Sequence, residues 1–135
     1  KILPKVPHVA FTVLDEQLSA GWCREINLRV VALGRFEEVV FFHRASRSLI
    51  VTDLMQNFET SRVRNALVRM LLKIGGATGP NGRPSIEIRM SALLHRAALK
   101  QGVEQMIAWE PMGIILSHGK CYPADGVAEI KRAFR

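Results

Sequence analysis

The sequence has few cysteines, and their spacing excludes two classes of small domain. Cys23 and Cys121 are the two cysteines among 135 residues, and neither lies in a CxxC or CxxH pair. Cysteine-rich zinc clusters and disulfide frameworks need more cysteines, or closely spaced ones. We therefore expect two reduced thiols in an intracellular protein.

Long apolar runs are missing as well. Apolar runs such as Ile114–Leu116, or the stretch 66–72 that Arg69 interrupts, fall well short of the roughly 20 residues that span a bilayer. The sequence, which begins at Lys1, shows no signal-peptide pattern of basic residues, apolar core and small-residue cleavage site. The expected location is intracellular, either cytoplasmic or organellar after removal of a transit peptide.

Several catalytic motifs are also absent. The chain contains neither a GxSxG nor an HExxH segment. The glycine-containing stretch Gly79–Gly82 (GPNG) lacks the GK[ST] ending and the preceding apolar strand of a phosphate-binding loop. These absences exclude the serine-hydrolase, zincin and P-loop signatures.

The composition is that of a folded domain with an excess of positive charge. Hydrophobic residues make up 48% and charged residues 23% of the chain, and the net charge is +7. Such a charge attracts anionic partners, including nucleic acid. The basic residues are dispersed, however, without a Lys/Arg run or interleaved aromatics, so a solvated basic face is the default interpretation and nucleic-acid binding the alternative.

The first part of the chain predicts three strands after an irregular segment. Residues 1–21 mix turn-formers with short apolar runs, which indicates an irregular or linking segment. Apolar and polar residues then alternate from Ile26 to the turn at Gly34, as in a half-buried strand. Continuous apolar runs at Glu38–His43 and Ser48–Thr52 predict a central hairpin that needs cover on both faces.

The remainder predicts helices and one more strand. Apolar residues recur at helical spacing between Ser61 and Gly75, and this amphipathic helix is expected to cover the sheet. A Gly/Pro-rich loop follows at 75–84, and further helices are expected within 91–109, with Gly102 as a weak point. A buried strand at Gly113–Ser117 and a terminal helix at 125–135 complete an α/β layered domain.

Two residues at strand ends are the candidates for chemistry. Asp53 directly follows the apolar strand LIVT, and His118, followed by Gly119, leaves the strand GIILS. The carboxyl ends of buried strands are where α/β folds place ligands, and a carboxylate with an imidazole suits a metal. Asp53 is alternatively a turn or helix cap, and His118 alternatively structural. For His43, at the end of EVVFFH, an edge hydrogen bond or a contact that supports a metal ligand is favoured over ligation itself.

The same residues carry a family resemblance. The segment Glu38–Leu54, EVVFFHRASRSLIVTDL, resembles the part of the metallo-β-lactamase superfamily in which two strands lead into the metal-bridging acid, and Asp53 matches that acid. Ser117-His118-Gly119 resembles the superfamily's late histidine motif. The closer resemblance is to domain-of-unknown-function family 4336, which shares runs such as VVFFHRxSRxLIVTDL, and it covers about residues 22–135.

The resemblance implies a fold and an activity. Residues 22–135 would form the C-terminal half of a metallo-β-lactamase-like αββα sandwich, a mixed sheet covered by helices. The implied activity is metal-assisted hydrolysis of an unknown substrate, with Asp53 bridging or orienting and His118 binding one metal. Zinc is the first expectation, and iron or manganese the next.

The implied metal site is incomplete. The superfamily's HxHxDH cluster belongs to an N-terminal half that this sequence does not contain, and its GHTxG histidine would fall near Gly34, where the chain reads LGRFEE. A protein partner or a missing N-terminal half is therefore expected. The alternative is a noncatalytic structural or interaction subunit of a larger intracellular complex, which keeps the fold and binds no metal.

Overall fold

The computed structural model describes residues 24–135, which form a mixed α/β fold. The predicted irregular segment 1–21 lies outside the described residues, as do His8 and Cys23. The described part contains a four-stranded mixed sheet, four α-helices and a short 3-10 helix. The predicted α/β class is thus confirmed.

The four strands lie in the order β1-β2-β3-β4 across the sheet. Their bounds are Ile26–Leu33 for β1, Phe36–His43 for β2, Ser48–Val51 for β3 and Gly113–Leu116 for β4. The pairs β1–β2 and β2–β3 are antiparallel, which confirms the predicted hairpin, whereas β3 and β4 are parallel. A parallel pair needs a long crossover, and the helices between β3 and β4 provide it.

The two faces of the sheet differ in burial. Directly paired residues point to the same face, so the register assigns each strand residue to one side. The core face carries the buried side chains Val31, Leu33, Val40, Phe42, Leu49, Val51, Ile114 and Leu116. The opposite side, here called the far face, carries Ile26, Leu28, Val30, Val39, Phe41, Ile50 and Ile115, all of them partly or largely exposed. Cover was predicted on both faces of the hairpin strands, but among residues 24–135 only the core face is buried.

Four helices follow the hairpin or flank β4. Their bounds are Ala66–Gly75 for α1, Ile86–Leu94 for α2, Arg96–Ala108 for α3 and Gly126–Ala133 for α4. The Asn65 side chain caps α1 and the Ser85 hydroxyl caps α2, both by accepting backbone N–H bonds. Helices α2 and α3 pack against β1, and α4 packs on α3.

Two helix boundaries differ from the prediction. The helix expected from Ser61 begins at Ala66, because Thr60–Arg62 forms a 3-10 turn and Asn65 caps the following N–H groups. The break expected at Gly102 lies instead at His95, between α2 and α3. Gly102 lies inside α3, where a Cβ atom would stand 2.7 Å from Val31 Cγ2. The glycine therefore permits close contact between α3 and β1.

The role predicted for α1 was wrong. This helix was expected to cover the sheet, yet none of its residues is buried. Burial of the core face comes instead from α2 and α3, through residues such as Ile88 and Met106. Periodicity identified the apolar side of α1 correctly, but periodicity does not specify what that side contacts.

In the part of the chain that the structure describes, no helix combines the length and the apolar character required to cross a membrane.

Candidate functional site

Parallel pairing of β3 and β4 brings the two candidate residues together. Val51 and Leu116 are register partners at the ends of these strands, and each candidate follows two residues later. The Nε2 atom of His118 lies 3.0 Å from the Oδ1 atom of Asp53. Both side chains are about half exposed, at 48% for His118 and 53% for Asp53, so the pair is open to a ligand.

The segment after β4 is fixed to the segment after β3 by backbone bonds. The N–H of Asn57 donates to the carbonyl of His118 at 3.0 Å, and the N–H of Lys120 donates to the carbonyl of Asn57 at 2.9 Å. The buried Asn57 side chain adds a bond from Nδ2 to the Lys120 carbonyl at 2.7 Å. These bonds fix the backbone on both sides of Gly119.

Gly119 allows this close approach. Its φ is +93°, and a Cβ atom there would collide with the carbonyl group of Asn57. Only glycine combines that backbone conformation with the space available. The backbone therefore turns sharply after His118, where the neighbouring backbone of Asn57 leaves no space for a side chain.

An aromatic neighbour holds the imidazole ring. The rings of Phe58 and His118 stack with their centroids 5.9 Å apart and an interplanar angle of 25°. Phe58 is itself anchored, since its N–H donates to the Ala77 carbonyl at 2.8 Å. One side of the imidazole thus packs on a fixed ring while Nε2 points at the Asp53 carboxylate.

The sequence analysis did not identify Glu38 as part of this site. Its Oε2 atom accepts a bond from the Asp53 N–H at 3.1 Å and another from the Thr52 hydroxyl. Antiparallel pairing places the beginning of β2 beside the end of β3, which is why Glu38 reaches Asp53. The available signal was the hairpin, because its register predicts which β2 residues lie beside the β3 exit.

The other histidines of the described part do not join the site. His43 lies beside Ser48 at the opposite end of β3 from Asp53, and its Nδ1 atom is 2.7 Å from the Ser46 hydroxyl. The hydrogen bond favoured for His43 is thus confirmed. His95 lies between α2 and α3, where its ring packs against Gly34.

A groove of about 580 Å³ opens beside Asp53. Apolar side chains of α1, α2 and β2 line it, together with the carboxylates of Glu38, Asp53 and Glu87. Hydrogen bonds from its own backbone N–H and from the Ser85 hydroxyl lower the pKa of the Glu87 carboxyl. The groove therefore combines apolar walls with negative charge next to the candidate site.

The donor atoms of the pair suit a metal in type and separation. Two donors about 2.0–2.1 Å from a tetrahedral zinc ion stand about 3.3 Å from each other, close to the observed separation of Nε2 and Oδ1. A carboxylate with an imidazole also matches zinc, iron or manganese. Within residues 24–135, however, no group of three or more candidate ligands is found, so this part of the chain offers two.

Without a metal, the same contact places an imidazole next to a carboxylate, with Nε2 and Oδ1 3.0 Å apart. In such a pair the carboxylate selects the tautomer and fixes the ring orientation. The imidazole is then available for proton transfer at its other nitrogen.

Comparison of the chain with protein-family models, with curated proteins and with solved structures finds no match. The resemblance to the metallo-β-lactamase superfamily therefore rests on the two motifs and stays a prediction.

Proposed function

We propose that this chain contributes Asp53 and His118 to the metal centre of a metallo-β-lactamase-like hydrolase, whose other ligands come from outside residues 24–135. The observation that carries the proposal is the 3.0 Å contact between Nε2 of His118 and Oδ1 of Asp53. Two side chains from separate strands meet at the ligand-binding edge of an α/β sheet. Both were candidates for this role before their positions were known.

In this proposal, two residues of the chain are metal ligands and two others position them. Asp53 and His118 would hold the metal, and a bound zinc, iron or manganese ion would supply Lewis-acid chemistry for hydrolysis. Glu38 positions Asp53 by accepting its backbone N–H, and Phe58 fixes the ring plane of His118. Such supporting contacts orient metal ligands in proteins generally.

The far face of the sheet supports the half-sandwich fold. Its side chains are mostly apolar, including Leu28, Val39, Phe41 and Ile50, which remain partly exposed, while Glu37, His43 and Ser48 lie at its ends. Two sheets that pack face to face interdigitate apolar side chains of this kind. A second sheet against the far face would bury them, as the other half of an αββα sandwich would.

A noncatalytic structural subunit is the second candidate. It is favoured by the number of ligands, because residues 24–135 hold two, whereas catalytic zinc sites use three protein ligands. In that case the Asp53–His118 contact is a half-exposed ion pair of small energetic weight. The far face would then be a surface that binds other subunits and has no catalytic role.

Metal affinity separates the two candidates. We would titrate the 135-residue chain with zinc and compare it with Asp53→Asn, His118→Gln and the control His43→Gln, which removes a histidine at the other end of β3. The proposal predicts one zinc site that both site variants weaken by about tenfold or more, while the control leaves it unchanged. If no variant binds zinc more weakly than the unmodified chain, or if the unmodified chain binds no zinc, the structural subunit is favoured.

A further inference from the structure

Helix α1 turns its apolar stripe away from the rest of the described chain. Leu67, Met70, Leu71 and Ile74 recur at the spacing of one helix face, and they are 60%, 51%, 57% and 71% exposed. Leu72 lies on the opposite side and is less exposed. An amphipathic helix of a globular protein normally directs its apolar stripe to the core. The orientation of α1 is the reverse.

Helix α2 has two apolar sides, one buried and one exposed. Ile88 and Ala92 face the core. The opposite side carries Ile86, Met90, Leu93 and Leu94, which are 53%, 60%, 55% and 85% exposed. Residues of both helices line the groove beside Asp53, so the two exposed stripes are neighbours. We call these eight residues, four from each helix, the α1–α2 face.

The net positive charge of the chain is concentrated in the segment that carries this face. Residues 60–96, which contain both helices, hold seven basic residues and one acidic residue. That segment therefore carries six of the seven units of net positive charge. Six of the basic side chains are exposed, namely Arg62, Arg64, Lys73, Arg83, Arg89 and Arg96. These residues are never consecutive and form no Lys/Arg run, so the sequence pattern indicated a dispersed positive charge.

We propose that the α1–α2 face binds the surface of an anionic lipid bilayer, with both helices lying along the interface. Short helices that combine an exposed apolar stripe with flanking Lys and Arg bind membranes in this way. Each cation near an anionic leaflet adds to the attraction. The helices are 10 and 9 residues long, too short to cross the bilayer. Binding of the α1–α2 face to a bilayer would not require a metal ion at Asp53 and His118.

Charge and composition favour a bilayer over the other occupants. A nucleic acid would match the cations but would leave the apolar stripes without a partner, since the eight residues of the α1–α2 face include no aromatic ring, and Phe36, 39% exposed, is the single ring that lines the adjoining groove. A basic partner helix would suit the carboxylates inside the groove but would meet the cations around it. An anionic bilayer offers apolar chains to the stripes and negative headgroups to the rim.

The test is co-sedimentation of the 135-residue chain with phosphatidylcholine vesicles, with and without the anionic lipid phosphatidylglycerol. We expect binding to the anionic vesicles that weakens as salt is added, and little binding to neutral ones. Met90→Gln with Leu94→Gln should reduce binding by about tenfold or more. Lys73→Gln with Arg89→Gln should reduce it by about fivefold for each cation removed.

Matched controls lie outside the face. Met112 is 60% exposed, like Met90, so Met112→Gln should leave binding unchanged. Lys131 is exposed on α4, so Lys131→Gln is the matched control for the cation variants and should also leave binding unchanged. All variants alter exposed side chains, and far-UV circular dichroism would verify their folding. Any of three results overturns the proposal: the chain fails to bind anionic vesicles, the face and control variants bind the vesicles equally well, or the face variants abolish only self-association, as measured by light scattering.

Discussion

The imidazole Nε2 atom of His118 and the Oδ1 atom of Asp53 lie 3.0 Å apart, although the two residues belong to different strand exits. Parallel pairing of β3 with β4 aligns those exits, and the bonds between Asn57 and the segment after β4 hold the alignment. The contact therefore depends on the crossover of three helices that separates the strands in sequence.

Gly119→Ala should destabilise the fold by about 3 kcal/mol, because the added Cβ collides with the Asn57 carbonyl and φ is +93°. Urea denaturation followed by circular dichroism measures the change. Gly75→Ala is the matched control, since a Cβ there meets nothing within 4 Å at the end of α1. We expect the control to be neutral or stabilising by up to about 1 kcal/mol. Equal losses in both variants would contradict the close approach at Gly119.

Asn65→Ala should loosen α1 specifically. The Asn65 side-chain oxygen accepts bonds from the N–H groups of Leu67 and Val68, at 2.9 and 3.2 Å, and α1 has no buried residue to compensate for their loss. Loss of such a cap costs about 1 kcal/mol. Hydrogen exchange should accelerate in α1 and remain unchanged in α3. Uniform acceleration in both helices would argue against a local role of the cap.

Tyr122 should make stability depend on pH above about 10. Burial raises the pKa of its phenol, while hydrogen bonding to Gly82 and the charge of Arg132 oppose the rise. The folded state thus holds this proton more tightly than the unfolded state, whose pKa is 10.0, so stability falls as pH increases through the folded pKa. Tyr122 is the single tyrosine of the chain, so ultraviolet absorbance reports its titration directly.

The expected result is a titration midpoint above that of the urea-unfolded chain, with Tyr122→Phe removing the corresponding loss of stability. Tyr122→Phe should also cost about 1–2 kcal/mol near neutral pH, because the hydroxyl accepts from the Gly82 N–H and donates to the Pro80 carbonyl, each at 3.0 Å. A midpoint at or below the unfolded value would contradict the burial of the phenol.

The strands and the candidate pair could be predicted because each depends on local pattern. Continuous β-branched and aromatic residues specify β2 and β3, and a polar residue directly after an apolar strand marks a strand exit. The sequence indicated Asp53 and His118 as candidates for one site. Their contact required the parallel register of β3 and β4, which no local pattern encodes.

Glu38 was missed, and the outward stripe of α1 could not be predicted, because both contacts depend on how elements pair and not on local pattern. Glu38 reaches Asp53 through the hairpin register, and its own neighbourhood in the sequence reads as ordinary strand. The spacing of Leu67, Met70 and Ile74 predicts an apolar side of α1 but not its direction. Direction is decided by the elements against which a helix packs, and α2 and α3 occupy the core face of the sheet.

The most direct test of the account is nuclear magnetic resonance of the ¹⁵N-histidine-labelled chain during titration with zinc. If Asp53 and His118 act as joint ligands, the Nε2 resonance of His118 shifts on zinc addition, the His43 resonances do not, and Asp53→Asn weakens the response of His118 by about tenfold or more. An unchanged His118 resonance, or a response that persists at full strength in Asp53→Asn, would contradict a shared metal site.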